Sequence, residues 1–363
     1  MYVRPDGRAF AITDLQNRGR SPINLRIAQN GTKPKSQKAS ALAKFILGSH
    51  LRHRALDSRA ATNALWFLDL AFVGAMAGLF RLLPLRWASA TGAGFGRFLG
   101  RIFKNRTRHV RANLTLALPG KSPAEIDRLA EEVWGNAGAV FAEYPHLAKY
   151  TDPARGLLRI ETVEDDPAYC RPGTPVVFVA AHLANWEVAG AAMTQLGIRS
   201  HALYAPLANP WLDNIMLRYR ARLGCETVSR DAGLRVFMQA LKNGEAPAMI
   251  IDRRIDGGKP IPFFGTEKDS STLPAGLALR FGAPLVPVQV ERHPGARFTV
   301  RFHPPLIPRN PEADTDAQAL DLTRQIHERF EEWISARPGE WLCTSKIWRG
   351  AVLRAKTDIY KEA

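Results

Sequence analysis

Residues 180–190, "AAHLANWEVAG", place a histidine and a glutamate five positions apart, directly after the apolar run 175–180. On one continuous α-helix, five steps of about 100° would leave His182 and Glu187 about 140° apart, so they would not face each other. They can meet only if His182 sits at a strand end or in a turn and Glu187 in the first turn of a helix beginning near Asn185. The pattern favours that arrangement. Residues 175–180 are apolar and partly β-branched, whereas Val188, Ala191, Ala192 and Leu196 recur at helical spacing. A strand running into a helix is where open α/β sheets place their ligands. Three uses remain open for the pair at this point: a catalytic dyad, half of a metal site, or an ordinary turn.

Working outward, the chain from residue 157 alternates strands and helices. Strand patterns at "SHALYAP", "CETVS", "PAMIID", "APLVPVQVER" and "RFTVRFHPPL" separate helices expected at 210–223, 233–243 and up to Phe281. A loop is expected from Asp252 to about residue 272, and an amphipathic helix over 316–336 carries Leu320, Ile326, Phe330, Trp333 and Ile334. This is an α/β pattern with strands of the buried type.

The chain has 363 residues, 46% of them hydrophobic, which suffices for one large α/β domain with appendages. Cys170, Cys225 and Cys343 lie far apart with no C-x-x-C pair, which points to neither a disulfide framework nor a structural zinc site and fits a reducing, cytosol-facing location. The formal charge of +16 is uneven, because residues 1–60 hold 12 Lys/Arg against 3 Asp/Glu. Such an excess suits nucleic acid, an anionic membrane or an acidic protein. Nucleic-acid recognition lacks its usual companions: no zinc-finger spacing, RNP-like strand or recognition-type basic block is present.

Residues 1–40 are polar, basic and rich in turn formers, the composition of a disordered extension, and lack the order of a secretory signal. Residues 65–83, "LWFLDLAFVGAMAGLFRLL", form the most apolar segment, interrupted by Asp69 and Arg81. It suits a membrane helix that spans or lies in the interface; the alternative is a core helix. After it, Arg97, Arg101, Lys104, Arg106, Arg108 and Arg111 interleave with Trp87, Phe95, Phe98 and Phe103, as suits a headgroup layer. Gly92, Gly94 and Gly96 fail the dinucleotide fingerprint and no strand precedes them, so they read as close-packing positions.

No G-x-S-x-G, H-E-x-x-H or P-loop occurs. A histidine backed by a carboxylate remains, able to take a proton from a bound hydroxyl that then serves as nucleophile. Arg218, Arg220 and Arg222 fall on different faces of one expected helix, so at most one or two can share a cleft. Asp252 ends an apolar strand at the sheet edge expected for His182, followed by a glycine- and proline-rich loop.

Over about residues 65–350 the chain resembles the late acyltransferases of lipid A biosynthesis, the lauroyl/myristoyl acyltransferases of Gram-negative bacteria. The resemblance rests on an ordered series: "LPLRWASATGAGFGRFLGRIF", "RHVRANLTLALPG", the H-x4-E pair, Asn209–Pro210 before an arginine helix, Asp252, "IPFFG" and "GAPLVPV". It implies a mixed sheet flanked by helices, of the glycerol-phosphate acyltransferase type, behind an N-terminal apolar membrane-anchor helix. It also implies that His182 is the general base, oriented by Glu187, with Arg220 and Asp252 binding donor or acceptor and Asn185 and Trp186 in support. The donor would be an acyl-acyl carrier protein, with no cofactor or metal. The acceptor would be a lipid A precursor or another glycolipid or aminolipid, and partners include anionic lipids of a bacterial inner membrane with the catalytic domain on the cytoplasmic side. The expected division is a basic extension (1–60), anchor and interfacial helices (61–112), a catalytic domain (113–350) and a tail (351–363). Ala184 departs from the glycine of many such enzymes, and Ala205 from the arginine of some. Two readings of other classes are a metal-dependent hydrolase using His182, Glu187, Asp252 and Asp256, and a non-catalytic membrane-associated binding protein.

Overall fold

The computed structural model describes residues 58–165, 167–230 and 232–349, together with Tyr2–Val3, Ala9–Phe10 and Tyr360. The expectations for the basic extension and the tail otherwise lie outside the described residues. Helix α1 (Arg59–Leu82) begins six residues earlier than its apolar run, because the Ser58 side chain caps it by accepting from the Ala61 N–H. It stops at Leu82 because Leu83 precedes Pro84, and a residue before proline is pushed out of the helical region. Its 24 residues are long and apolar enough to cross a bilayer. Asp69, the charge that interrupts the apolar run, is fully buried against the protein, while Phe67, Leu68, Phe72 and Leu79 face outward.

Helix α2 (Leu85–Ile102) turns back after Pro84, and α3 (Lys104–Ala117) leads to α4 (Pro123–Glu143). A capping box between Ser122 and Glu125, with Pro123 in the first turn, starts α4. The glycines of α2 are packing positions as expected, in part. A Cβ on Gly92 would strike Ala142 and the Gly138 carbonyl, and one on Gly96 the Trp134 carbonyl, so α2 and α4 approach backbone to backbone. Gly94 has nothing within 4 Å and takes no part, whereas Gly100, against the Trp134 ring, does.

The sheet half is built on strands β1 (Leu158–Thr162), β2 (Val177–Ala180), β3 (Ser200–Tyr204), β4 (Glu226–Ser229) and β5 (Ala246–Ile250), alternating with α5 (Val188–Gln195), α6 (Pro210–Arg220) and α7 (Gly233–Lys242). A hairpin of β6 (Lys259–Phe263) and β7 (Thr266–Ser270) precedes α8 (Leu273–Phe281), β8 (Leu285–His293), β9 (Arg297–Phe302) and α9 (Thr315–Ala336). The seven-stranded sheet runs β1-β9-β8-β2-β5-β3-β4. Only the β8–β9 pair is antiparallel, so the sheet is mixed and flanked by helices as expected. Central β2 is buried throughout: Val177 and Val179 enter one core with α4, α8 and α9, and Phe178 and Ala180 enter another with α5.

The hairpin occupies most of what the sequence reads as loop. Pro260, Pro262 and the charged residues of β7 hide the strand pattern, while positive φ at Phe264 (51°) and Gly265 (67°) forms the tight turn.

Candidate active site

The position of His182 follows from strand register. Parallel neighbours β2 and β5 align Ala180 with Ile250, so residues two positions beyond each strand, His182 and Asp252, leave the sheet side by side. His182 Nδ1 lies 2.6 Å from Asp252 Oδ1. The other carboxylate oxygen, Oδ2, accepts from the Trp341 indole N–H at 2.9 Å. Asp252 is completely buried, and burial alone would raise its pKa; the neighbouring His182, Arg253 and the Trp341 bond outweigh this and hold the carboxyl well below its ordinary range. An ionised Asp252 can only accept, which puts the imidazole proton on Nδ1 and leaves Nε2 as the basic atom. Burial lowers the pKa of His182 itself, with Asp252 pulling the other way, so the ring is neutral at physiological pH. Its side chain keeps 15% exposure.

Glu187 is the N-cap of α5, just ahead of the first turn expected for it because the helix begins at Val188 rather than near Asn185, and its carboxylate goes elsewhere. Arg220 of α6 grips it through Nε (2.9 Å to Oε2) and Nη2 (2.5 Å to Oε1). The Tyr144 hydroxyl donates to Oε1 at 2.6 Å and the Trp186 indole N–H at 3.1 Å. Burial and then the Glu187 charge push the Tyr144 hydroxyl pKa well up, so it stays a donor. The expected pairing of Glu187 with His182 is therefore corrected: Asp252 orients the histidine, and Glu187 anchors Arg220. Asp252 has no exposed surface, and Nε and Nη2 of Arg220 are engaged by Glu187. Trp186 packs edge-on against the His182 ring, centroids 5.0 Å apart.

Asn185 braces the turn from behind, donating to Glu143 Oε2 at 2.8 Å and accepting from the Glu187 N–H at 3.2 Å. Buried Glu143 also takes Arg292 Nη1 (2.5 Å) and the Ser89 hydroxyl (2.6 Å), tying the turn to α2, α4 and β8. Asn136 donates to the carbonyls of Ala184 and Glu340, 3.0 Å each. Ala184 itself is held at φ 50°, a left-handed conformation that explains why glycine suits this position.

A family model described as "Bacterial lipid A biosynthesis acyltransferase" matches residues 57–350. The chain belongs to that family. Lipid A biosynthesis acyltransferase 1 of Shigella flexneri is 26% identical over 289 residues, covering 76% of this chain and 84% of the relative. The lipid A biosynthesis myristoyltransferase of Escherichia coli (strain K12) gives the same figures, 26% over 289 residues with 76% and 84% covered. A phosphatidylinositol mannoside acyltransferase of Mycobacterium tuberculosis (strain ATCC 25618 / H37Rv) is 25% identical over 181 residues, 48% of this chain and 55% of its own.

In this acyltransferase the metal-hydrolase alternative finds no site among the described residues. Among the described residues no three His, Cys, Asp or Glu groups gather as ligands. Asp256 is 92% exposed and paired with Arg254, and Glu187 is held by Arg220. Arg218 bonds Asn214 and Arg222 lies over Tyr219, so only Arg220 of the three enters the site. A small apolar cavity of about 80 Å³ adjoins Trp186, Glu187 and Arg220, running between α5 and the sheet past Ala189, Met193 and Cys225.

Tyr144, Trp341 and Lys268 escaped the sequence reading. Trp341 comes from beyond α9, and the Leu342 N–H donates to the His182 carbonyl at 2.8 Å. Lys268 is fully buried, its Nζ donating to the carbonyls of Ile251 (3.1 Å) and Asp252 (2.8 Å) above the Phe263 ring. Burial pushes its pKa down to about 7, with Asp252 opposing. The equal offsets of His182 and Asp252 from their apolar runs were a usable signal; these three carried none.

Proposed function

We propose that the acyltransferase moves a fatty acyl chain from the thioester of an acyl carrier protein to a hydroxyl of a lipid A precursor, with His182 as general base. The single observation that carries this reading is a partly exposed imidazole whose Nδ1 lies 2.6 Å from the buried Asp252 carboxylate. His182 Nε2 takes the acceptor hydroxyl proton as the oxygen attacks the thioester carbon. The carbonyl π electrons move onto oxygen, giving a tetrahedral oxyanion. Its collapse breaks the C–S bond, and the leaving thiolate takes the proton back from His182. Asp252 stabilises the transient imidazolium, and no acyl-enzyme forms.

The apolar cavity beside Glu187 and Arg220 offers a surface for part of the acyl chain. Exposed Trp87, Phe98 and Ile102 on α2, next to Arg97 and Arg101, suit the headgroup layer of an anionic bilayer, and α1 supplies the anchor. The same basic face would receive the acidic carrier protein. These features favour the bacterial inner membrane with the catalytic domain on the cytoplasmic side, where the three free, buried cysteines meet no oxidant. The likeness to mannolipid enzymes keeps a second glycolipid acceptor open.

The test is mass spectrometry of lipid A from cells with the wild-type protein, the His182→Ala variant, or neither. An acyl-sized mass difference present only with wild type is expected. Unchanged lipid A in all three, with normal protein levels, refutes the lipid A acceptor.

A further inference from the structure

Arg220 is gripped by Glu187 through Nε and Nη2, which leaves only its Nη1 for an anionic oxygen of the reaction. Arg253, next in the chain after Asp252, differs from it. Among the described residues no carboxylate pairs with Arg253, and its Nε is buried with no hydrogen-bond partner. A buried donor left unmade costs stability and is uncommon in a native fold unless water or a ligand completes it. The most heavily used charges nearby are already engaged: Asp252 with His182 and Trp341, and Asp256 with Arg254 at 3.1 Å. Arg253 is close enough to the dyad for its charge to act on both His182 and Asp252.

We propose that Arg253 binds an anionic oxygen of the substrate beside His182, completing its buried Nε–H with a charge-assisted bond. The inference rests on the acyl-transfer reading above. Two sources carry that chemistry, the oxyanion formed on the thioester carbonyl and a phosphate carried by donor or acceptor. An oxyanion bond exists only as the reaction proceeds and would act on kcat; a phosphate bond exists in the bound complex and would act on KM. Arginine suits either, since its planar fork matches oxyanion geometry better than a lysine ammonium.

The experiment measures acyl transfer by the full-length protein in mixed micelles, with acyl carrier protein as donor, for wild type, Arg253→Met and Arg253→Lys, after matching their thermal midpoints. A turnover number that falls by roughly 10²-fold in Arg253→Met, at unchanged KM, assigns the oxyanion. A rise in KM of similar size for one substrate, at near-normal turnover, assigns that substrate's phosphate, and dephosphorylated acceptor then separates acceptor from donor. The pH profile gives a readout that mere packing would not move. The charges acting on His182 are Asp252, Arg253 and, more weakly, Glu187, and Arg253 is the one of them that disfavours its protonation. Arg253→Met therefore moves the acid limb to higher pH, while Arg253→Lys, which keeps the charge, leaves it in place. Wild-type transfer with an Arg253→Met enzyme unchanged in kcat, both KM values and the acid limb overturns the inference and leaves the function standing. Absence of transfer by wild type removes both.

Discussion

Replacing Asp252 by asparagine tests which carboxylate serves His182. The bond lost is short, 2.6 Å, charged and wholly buried. A hydrogen bond to a charged group contributes about 1.5–3 kcal/mol, or roughly 10- to 150-fold in rate. The amide can also turn its NH2 toward Nδ1, which drives the ring proton onto Nε2 and removes the base; the same exchange behind a serine-protease histidine costs about 10⁴. Turnover is expected to fall by about 10³ between these two bounds, with the fold intact. The acid limb supplies the second readout. Transfer needs the neutral imidazole, so the rate rises with pH through the His182 pKa. Burial lowers that pKa and Asp252 raises it, so losing the Asp252 charge moves the limb to lower pH. Glu187→Gln acts differently, stranding the Arg220 guanidinium: its chief effect is a lower thermal midpoint, since breaking one side of a buried pair costs about 3–5 kcal/mol. Radiolabelled acyl transfer across an acid-to-alkaline pH series, with melting curves in the same detergent, measures all of this. An Asp252→Asn enzyme with near-wild-type turnover and an unmoved limb would refute the dyad.

Three further outcomes are expected. Ala184→Gly relieves the left-handed alanine and raises stability by about 1 kcal/mol, a few degrees in thermal midpoint, with activity retained; a lower midpoint contradicts the strain. Gly96→Ala forces a methyl against the Trp134 carbonyl and prises α2 from α4, lowering stability by about 1–3 kcal/mol or more; a neutral result in a melting curve refutes the backbone-to-backbone contact. Lys268 titrates near 7 when folded against 10.5 ordinarily, so between these values the unfolded chain holds more protons and stability rises with pH, by up to about 1.4 kcal/mol per unit. Lys268→Met removes that contribution, and a dependence of the midpoint on pH above neutrality identical to wild type argues against the depressed pKa.

The sequence by itself determined much of this protein. Apolar runs with β-branched residues, set between segments of helical period, dictated an α/β fold, because burial on both faces leaves a strand no polar position. The apolar run before His182 and the helical spacing after Glu187 placed the histidine at a strand end and the glutamate at a helix start. The ordered motifs placed the chain in its family, and the spacing of Arg218, Arg220 and Arg222 limited how many could enter one cleft. Tertiary structure decided the partners. Whether His182 meets Glu187 or Asp252 depends on β2 and β5 being neighbours in register, a contact between residues 70 positions apart that no local pattern encodes. Arg220, Tyr144 and Trp341 likewise reach the site from α6, the turn after α4 and the segment beyond α9. The hairpin at 259–270 was hidden because prolines and charges erase the strand alternation, while its pairing is set by a tight turn and by packing against α9. Local geometry says where a side chain leaves the backbone; which charge it meets there is settled by how the sheet orders its strands.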